Sequence, residues 1–329
     1  MNKNLSRSLK IALPLALGLF LVWYSYSKFT QEQLREIARY FKKADYGWVL
    51  LATALSVLSH LLRAWRWNYM LQPLGHRARL ANNFMFISIA YLMNIPIPKS
   101  GEVIRGLLLD KYEGVPFKKG FGTIISERTV DLVLLLAFTL VALSLQFEAL
   151  YGYLTGIVSS KKILAVGTGL AVLAALLVIF MKYRLPFGLA RKLQIKARNF
   201  LLGVKDGMLS IYTMEHKGLF VAHTLFIWGL YLLSFYVATM ALPETSGISI
   251  GAIIITFVVG SFSFAFTNSG FGSYPFFVAG ILAVFGVAQT AGTAFGWIVW
   301  ASNIASILLL GGLSFIVLPF YNRGRRVSK

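Results

Sequence analysis

Cysteine is absent from all 329 residues, which removes disulfides, thiol nucleophiles and thiolate metal sites from consideration. Acidic residues are scarce: 12 Asp and Glu stand against 32 Lys and Arg, so the position of each carboxylate carries information. The four histidines (His60, His76, His216, His223) never fall at a metal-binding spacing such as i, i+4. No GxxxxGK[ST] phosphate loop occurs, so nothing supports ATP-driven pumping by this chain alone, and no cofactor is expected. Charge of either sign is sparse, at 13% of residues, while 57% are hydrophobic. An average soluble domain has roughly 25% and 45–50%.

What is present is membrane-length apolar sequence. Segments near 11–27, 46–71, 118–146, 161–183, 219–242 and 294–320 approach or exceed the ~20 residues that cross a bilayer. The expected fold class is an all-α polytopic membrane protein with about six full spans. Two further apolar regions, 80–113 and 250–290, are interrupted by Pro and Gly and are expected to be broken re-entrant hairpins. The net charge of +20 is read as basic loops that set orientation and touch anionic lipid heads, with no nucleic-acid partner. With both termini cytoplasmic and each hairpin returning to its own side, about three quarters of the 32 Lys and Arg lie inside. The basic N-terminal "MNKNLSRSLK" has no small-residue cleavage site after its apolar run, so it is read as a retained first helix.

This layout predicts one integral membrane domain over 1–329. A first span and an outside amphipathic helix (1–45) precede a first repeat (46–146). A further span and a basic cytoplasmic interfacial helix (147–218) lead to a second repeat (219–320) and a basic tail (321–329). Each repeat is a span, a broken hairpin and a span, entered from opposite sides. That is the pattern of inverted-topology repeats, whose discontinuous helices build a midplane substrate site. Leu34, Ile37 and Phe41 give the outside stretch an apolar face, as do Leu189, Leu193, Ala197, Phe200, Val204, Met208 and Ile211 in the basic one.

Charge inside the hydrophobic frame is concentrated in a few places. In "NIPIPKSGEVIRGLLLD", Pro96 and Pro98 break the helix, and Ser100 is expected to cap a new one starting near Gly101 with Glu102 in its first turn. The positive end of that helix, with Lys99 and Arg105 beside it, would suit an anion. In "FTNSGFGSYP", Asn268, Ser269 and Ser273 offer caps while Gly270 and Gly272 permit close backbone approach. Glu127 and Asp131 share a helix face at i, i+4 with Arg128 between them, at a depth where each charge costs ~2.5–3.5 kcal/mol. Arg63 and Arg66, three apart in "HLLRAWRWNY", are the candidate compensators. The cluster reads either as an internal ion-pair network pinning the hairpin to its neighbours or as a polar cavity for an anionic lipid head, and the two readings are compatible.

The combination "RAWRW", "PIPKSGEVIR", "ISERTVD" and a late Gly-rich break resembles the lysylphosphatidylglycerol synthase transmembrane-region family. That family includes the membrane flippase half of the multiple-peptide-resistance factor and stand-alone flippase-like proteins of the YbhN type. The resemblance runs over about 10–320. It implies a protein of the bacterial cytoplasmic membrane that moves or handles lipids, with the family's polar signature falling on Arg63, Arg66, Pro98, Gly101, Glu102, Arg105, Glu127, Arg128 and Asp131. Ser269, Gly270 and Gly272 fit its Gly-rich element, but Tyr274 and Pro275 stand where many relatives have an acid. The aminoacyl-transferase domain of the bifunctional relatives is not present in the sequence, so synthesis of lysylphosphatidylglycerol is not expected. The expected partners are membrane lipids with an anionic or phosphate-bearing head, and homo-oligomerisation is left open. A membrane enzyme acting on a lipid head and a purely structural scaffold are the alternatives.

Overall fold

Interior and exterior are inverted relative to a water-soluble protein. Leu140, Phe226 and Phe315 are each more than 60% exposed, whereas Arg66 and Glu127 are 0% exposed. Apolar side chains face outward and charge is gathered within, as a surrounding of lipid requires.

The structure, a computed structural model, describes residues 3–157 and 214–323 with the isolated positions 168, 191, 194 and 195. Among these residues the ordered elements are all helical. They are α1 (Lys3–Ser27), α2 (Gln31–Lys43), α3 (Tyr46–Leu71), α4 (Leu80–Asn94), α5 (Ser100–Glu113) and α6 (Phe117–Ile157). After the undescribed stretch come α7 (Lys217–Thr239), the single turn α8 (Pro243–Ser246), α9 (Ile250–Phe266), α10 (Ser273–Val284) and α11 (Gln289–Tyr321).

Four of these are long and apolar enough to cross a membrane: 46–74, 117–152, 217–239 and 289–321. They match the expected spans at 46–71, 118–146, 219–242 and 294–320. The helix over 117–157 leaves helical geometry at Gln146, where the third expected span ends. The expected first span lies within α1, whose described apolar part is Leu15–Ser27. The span expected at 161–183 and the basic interfacial helix after it lie outside the described residues, isolated positions apart.

The two interrupted regions each form a helical hairpin. Pro96 and Pro98 separate α4 from α5, and the turn at 267–272 separates α9 from α10. At 1.5 Å per residue these helices run from ~18 to ~26 Å, short of the ~30 Å hydrocarbon core. The amphipathic stretch over 31–43 is α2, opened by a reciprocal capping box between Thr30 and Gln33 and burying Ile37.

Among the described helices α3 and α7 make the most extensive contact, with the Ser234 hydroxyl donating to the Ala52 carbonyl at 2.7 Å. One core, around Phe138, Trp228, Phe235, Phe257 and Phe295, ties α6, α7, α9 and α11 together. A second, around Trp67, Phe86, Leu109, Ile124 and Phe220, ties the first hairpin to α3, α6 and α7. At one end Asn322 and Asn82 exchange side-chain amide hydrogen bonds at 3.0 Å, and Arg79 pairs with Glu113 at 2.9 Å. That lock holds the end of α11 against both ends of the first hairpin.

Candidate functional site

Helical spacing places Arg63, Arg66 and Trp67 on one side of α3, at i, i+3 and i+4. That side meets α6, where Glu127 and Asp131 lie one turn apart, and α7, where Thr224 and Tyr231 lie two turns apart. Arg63 Nη1 is 2.7 Å from Glu127 Oε1 and 2.8 Å from Asp131 Oδ2, and its Nη2 donates to the Tyr231 hydroxyl at 3.1 Å. Arg66 lies 3.2 Å from Glu127 and 3.4 Å from Asp131, and Nη1 donates to Thr224 Oγ1 at 2.9 Å. The third arginine arrives from the first hairpin: Arg105 Nη1 is 2.8 Å from Glu127 Oε2. Arg128 completes the set, at 3.3 Å from Glu127 and 3.7 Å from Asp131.

Glu127 is therefore the hub, contacted by four guanidiniums. Three of these arginines are almost wholly buried, and only Arg128 keeps a partly exposed side chain, at 36%. Four positive groups surround two carboxylates, so the network holds two positive charges in excess. Arg105 is further held by stacking, its guanidinium carbon 3.7 Å from the Trp67 ring centre. The Trp67 indole N–H in turn donates to Thr123 Oγ1 at 2.8 Å.

Between α4, α5 and α6 lies a small cavity of ≈ 10 Å³, room for about one water molecule. Tyr91, Asn94, Glu102, Arg105 and Arg128 line it. Among the described residues Glu102 makes no ion pair within 4.0 Å, and its Oε2 is buried without a hydrogen-bond partner. Arg105 Nε and Nη2 are likewise buried and unpartnered.

The expected cap at Ser100 is replaced. Ser100 is the first residue of α5, and its hydroxyl donates to the Met93 carbonyl at 2.7 Å. The Gly101 amide is accepted instead by Asn94 Oδ1 at 2.8 Å, from the end of α4. Two prolines in the turn bring the chain back on itself, so the capping group comes from seven residues upstream. Asn94→Ala should lower stability by about 0.5–2 kcal/mol, the usual cost of a lost helix cap, read as an earlier thermal transition of the purified protein. Gly101 also permits close helix crossing, because a side chain there would run into the Ala90 carbonyl. Lys99, at φ 63°, is exposed at the turn.

The second break has its own partners. Trp300 donates to the Ser269 carbonyl at 2.8 Å, and Ser273 Oγ lies 2.6 Å from Ser263 Oγ and 2.8 Å from Thr267 Oγ1. Ser269, Gly270 and Gly272 all have positive φ, and a Cβ on Gly272 would overlap the Gly18 carbonyl of α1. Among the described residues Asn268 Oδ1 is buried without a partner. The expected residues thus fall into three groups, of which Lys99, Ser100 and Gly101 form the turn and first residues of α5. Arg63, Arg66, Glu102, Arg105, Glu127, Arg128 and Asp131 form the ion network and its cavity. Asn268, Ser269, Gly270 and Gly272 build a turn packed on α1 and α11. Asn94, Trp67, Thr224 and Tyr231 join the site unforeseen.

A family model described as "Lysylphosphatidylglycerol synthase TM region" matches residues 11–317. A UPF0104 membrane protein of Methanothermobacter thermautotrophicus is 27% identical over 294 residues, covering 83% of this chain and 84% of that protein. A UPF0104 membrane protein of Methanocaldococcus jannaschii is 29% identical over 110 residues, about a third of either chain (32% and 33%). No solved structure matches the chain.

Proposed function

The chain belongs to the lysylphosphatidylglycerol synthase transmembrane-region family, and on that premise we propose that it is a flippase-like transporter of the cytoplasmic membrane. A lipid with an anionic or phosphate-bearing head enters a polar site beside the first hairpin while its tails stay in the bilayer. One observation carries this reading: a buried network with two more guanidiniums than carboxylates, beside a cavity at a helix break. Uncompensated charge in hydrocarbon is expensive and marks substrate pathways by default.

The two hairpins re-enter the membrane from opposite sides, and the repeats 46–146 and 219–320 are related by inverted topology. The extensive packing of α3 on α7 supports this, because these are the first spans of the two repeats. Both termini face the cytoplasm, as the basic segments favour. Glu127 and Asp131 hold Arg63 and Arg66 in place, while Arg105 and Arg128 face the route of the head.

The test is reconstitution of the full chain in phosphatidylcholine vesicles carrying fluorescent phosphatidylglycerol, with an impermeant reductant added outside. The expected result is that the tracer protected in the inner leaflet is lost at least tenfold faster than without protein, and that Arg105→Gln slows this loss. Loss at the protein-free rate for tracers of every head group would overturn the reading in favour of a scaffold. Covalently altered tracer would replace it with an enzyme acting on the head.

A further inference from the structure

The donors of the network are used unevenly. Arg63 and Arg66 spend both terminal nitrogens on Glu127, Asp131, Tyr231 and Thr224. Arg105 is 3% exposed, yet only its Nη1 faces a carboxylate, and its Nε and Nη2 are unpartnered. Arg128 divides one nitrogen between two carboxylates at 3.3 and 3.7 Å; among the described residues Nε is unpartnered in all four arginines, so the terminal nitrogens carry the difference. These two under-used guanidiniums line the same cavity as Glu102, whose buried Oε2 is also unpartnered and whose carboxylate pairs with neither. Three charged groups share one small space without closing their contacts.

We propose that this space is a single-anion subsite in which the Glu102 carboxylate is a tethered occupant, displaced when one monoanionic phosphodiester binds to Arg105 and Arg128. The inference rests on the lipid-handling reading above and deepens it. Charge sets the stoichiometry. The four arginines exceed Glu127 and Asp131 by two, and Glu102 offsets one of these. A monoanionic phosphodiester that takes the place of Glu102 offsets the same one, so the exchange conserves the charge of the site, which a fully ionised phosphomonoester would not. Size makes the event an exchange, since ≈ 10 Å³ admits about one water and a phosphate group enters only if Glu102 moves. Position makes the movement feasible. Glu102 sits in the first turn of α5, directly after the Pro96–Pro98 break, and the exposed ammonium of Lys99 three residues earlier offers its carboxylate a new partner.

The test uses the full chain in detergent, with melting temperature followed against dihexanoyl-phosphatidylglycerol, dihexanoyl-phosphatidylcholine and inorganic phosphate as separate probes. Removing the competing charge in Glu102→Gln should tighten binding of the phosphatidylglycerol about tenfold, and Arg105→Gln or Arg128→Gln should weaken it by a similar factor. Glu102→Ala gives the same direction if the glutamine variant folds poorly. A shift with inorganic phosphate equal to that with the lipid identifies free phosphate as the source of the anion; a shift with the lipid alone identifies a head group. Unchanged or weaker binding in both Glu102 variants, with the wild type still binding, overturns the tethered-anion proposal and leaves lipid handling intact. Tightened binding in detergent without tracer movement in vesicles does the reverse: the subsite stands and transport falls.

Discussion

Glu127→Gln lowers the stability of the folded chain by about 3–5 kcal/mol, the cost of removing one partner from a buried ion pair. The substitution is nearly isosteric, so little packing is lost and the effect isolates charge. Glu127 lies 2.7 Å from Arg63, 2.8 Å from Arg105, 3.2 Å from Arg66 and 3.3 Å from Arg128. Without its charge, Asp131 is the one carboxylate left in the network, Arg105 has none within 4.0 Å among the described residues, and the excess rises from two to three. Thermal unfolding of detergent-purified protein, followed by tryptophan fluorescence, should shift down by roughly 10 °C. Arg128→Gln should shift it far less, because that side chain is 36% exposed and water takes over part of its solvation. Adding Arg105→Gln to Glu127→Gln should recover part of the loss, giving a coupling of about 0.5–3 kcal/mol in a double-mutant cycle. Equal melting of wild type and Glu127→Gln would mean that the four arginines are not organised by this carboxylate.

The residues that define this hub were legible because each signal was local. A Glu and an Asp one turn apart in an apolar run can only be compensated by cations from elsewhere, and the chain offers few at comparable depth. Arg63 and Arg66, three apart in another apolar run, were the natural partners. The hairpin breaks were legible for the same reason, since Pro96 and Pro98 exclude regular helix and Gly270 and Gly272 mark positive φ. The rest of the site depends on which helices pack together. Thr224 and Tyr231 lie in a span whose apolar surroundings hide them, and only the contact of α3 with α7 brings their hydroxyls to Arg66 and Arg63. Trp67 is buried with Arg105 stacked on its ring, a contact that no spacing in its own helix announces. Asn94 was overshadowed by Ser100 because capping is read from the residue next to the helix, and here the acceptor arrives from across the turn. The lock of Asn322 on Asn82 joins residues 240 apart and left no periodic trace.

Gly101→Ala is the companion prediction, because it tests the same site through shape instead of charge. Two effects compete. Replacing glycine by alanine within a helix favours folding by about 1 kcal/mol on propensity alone. Against this, the new methyl would overlap the Ala90 carbonyl oxygen, lie 2.7 Å from its carbon and 2.9 Å from Asn94 Nδ2. Two of these atoms are backbone of α4, which cannot rotate away, so the hairpin must widen. Overpacking of this kind costs about 1–3 kcal/mol, and the severity of the overlap places it at the upper end. Overpacking therefore wins, and the melting temperature falls. Widening also carries α5 outward, taking Arg105 from its stack on Trp67 and its 2.8 Å contact with Glu127, so lipid movement should fall as well. Gly122→Ala in α6 is the control, since a Cβ there meets nothing within 4 Å. It gains the propensity term without the overlap and should raise the melting temperature slightly. A pair of glycine-to-alanine changes with opposite signs would establish that close contact of α4 and α5 sets the geometry of the charged site. If both variants were stabilised, α4 and α5 would have to sit farther apart, and Asn94 could not then reach the Gly101 amide.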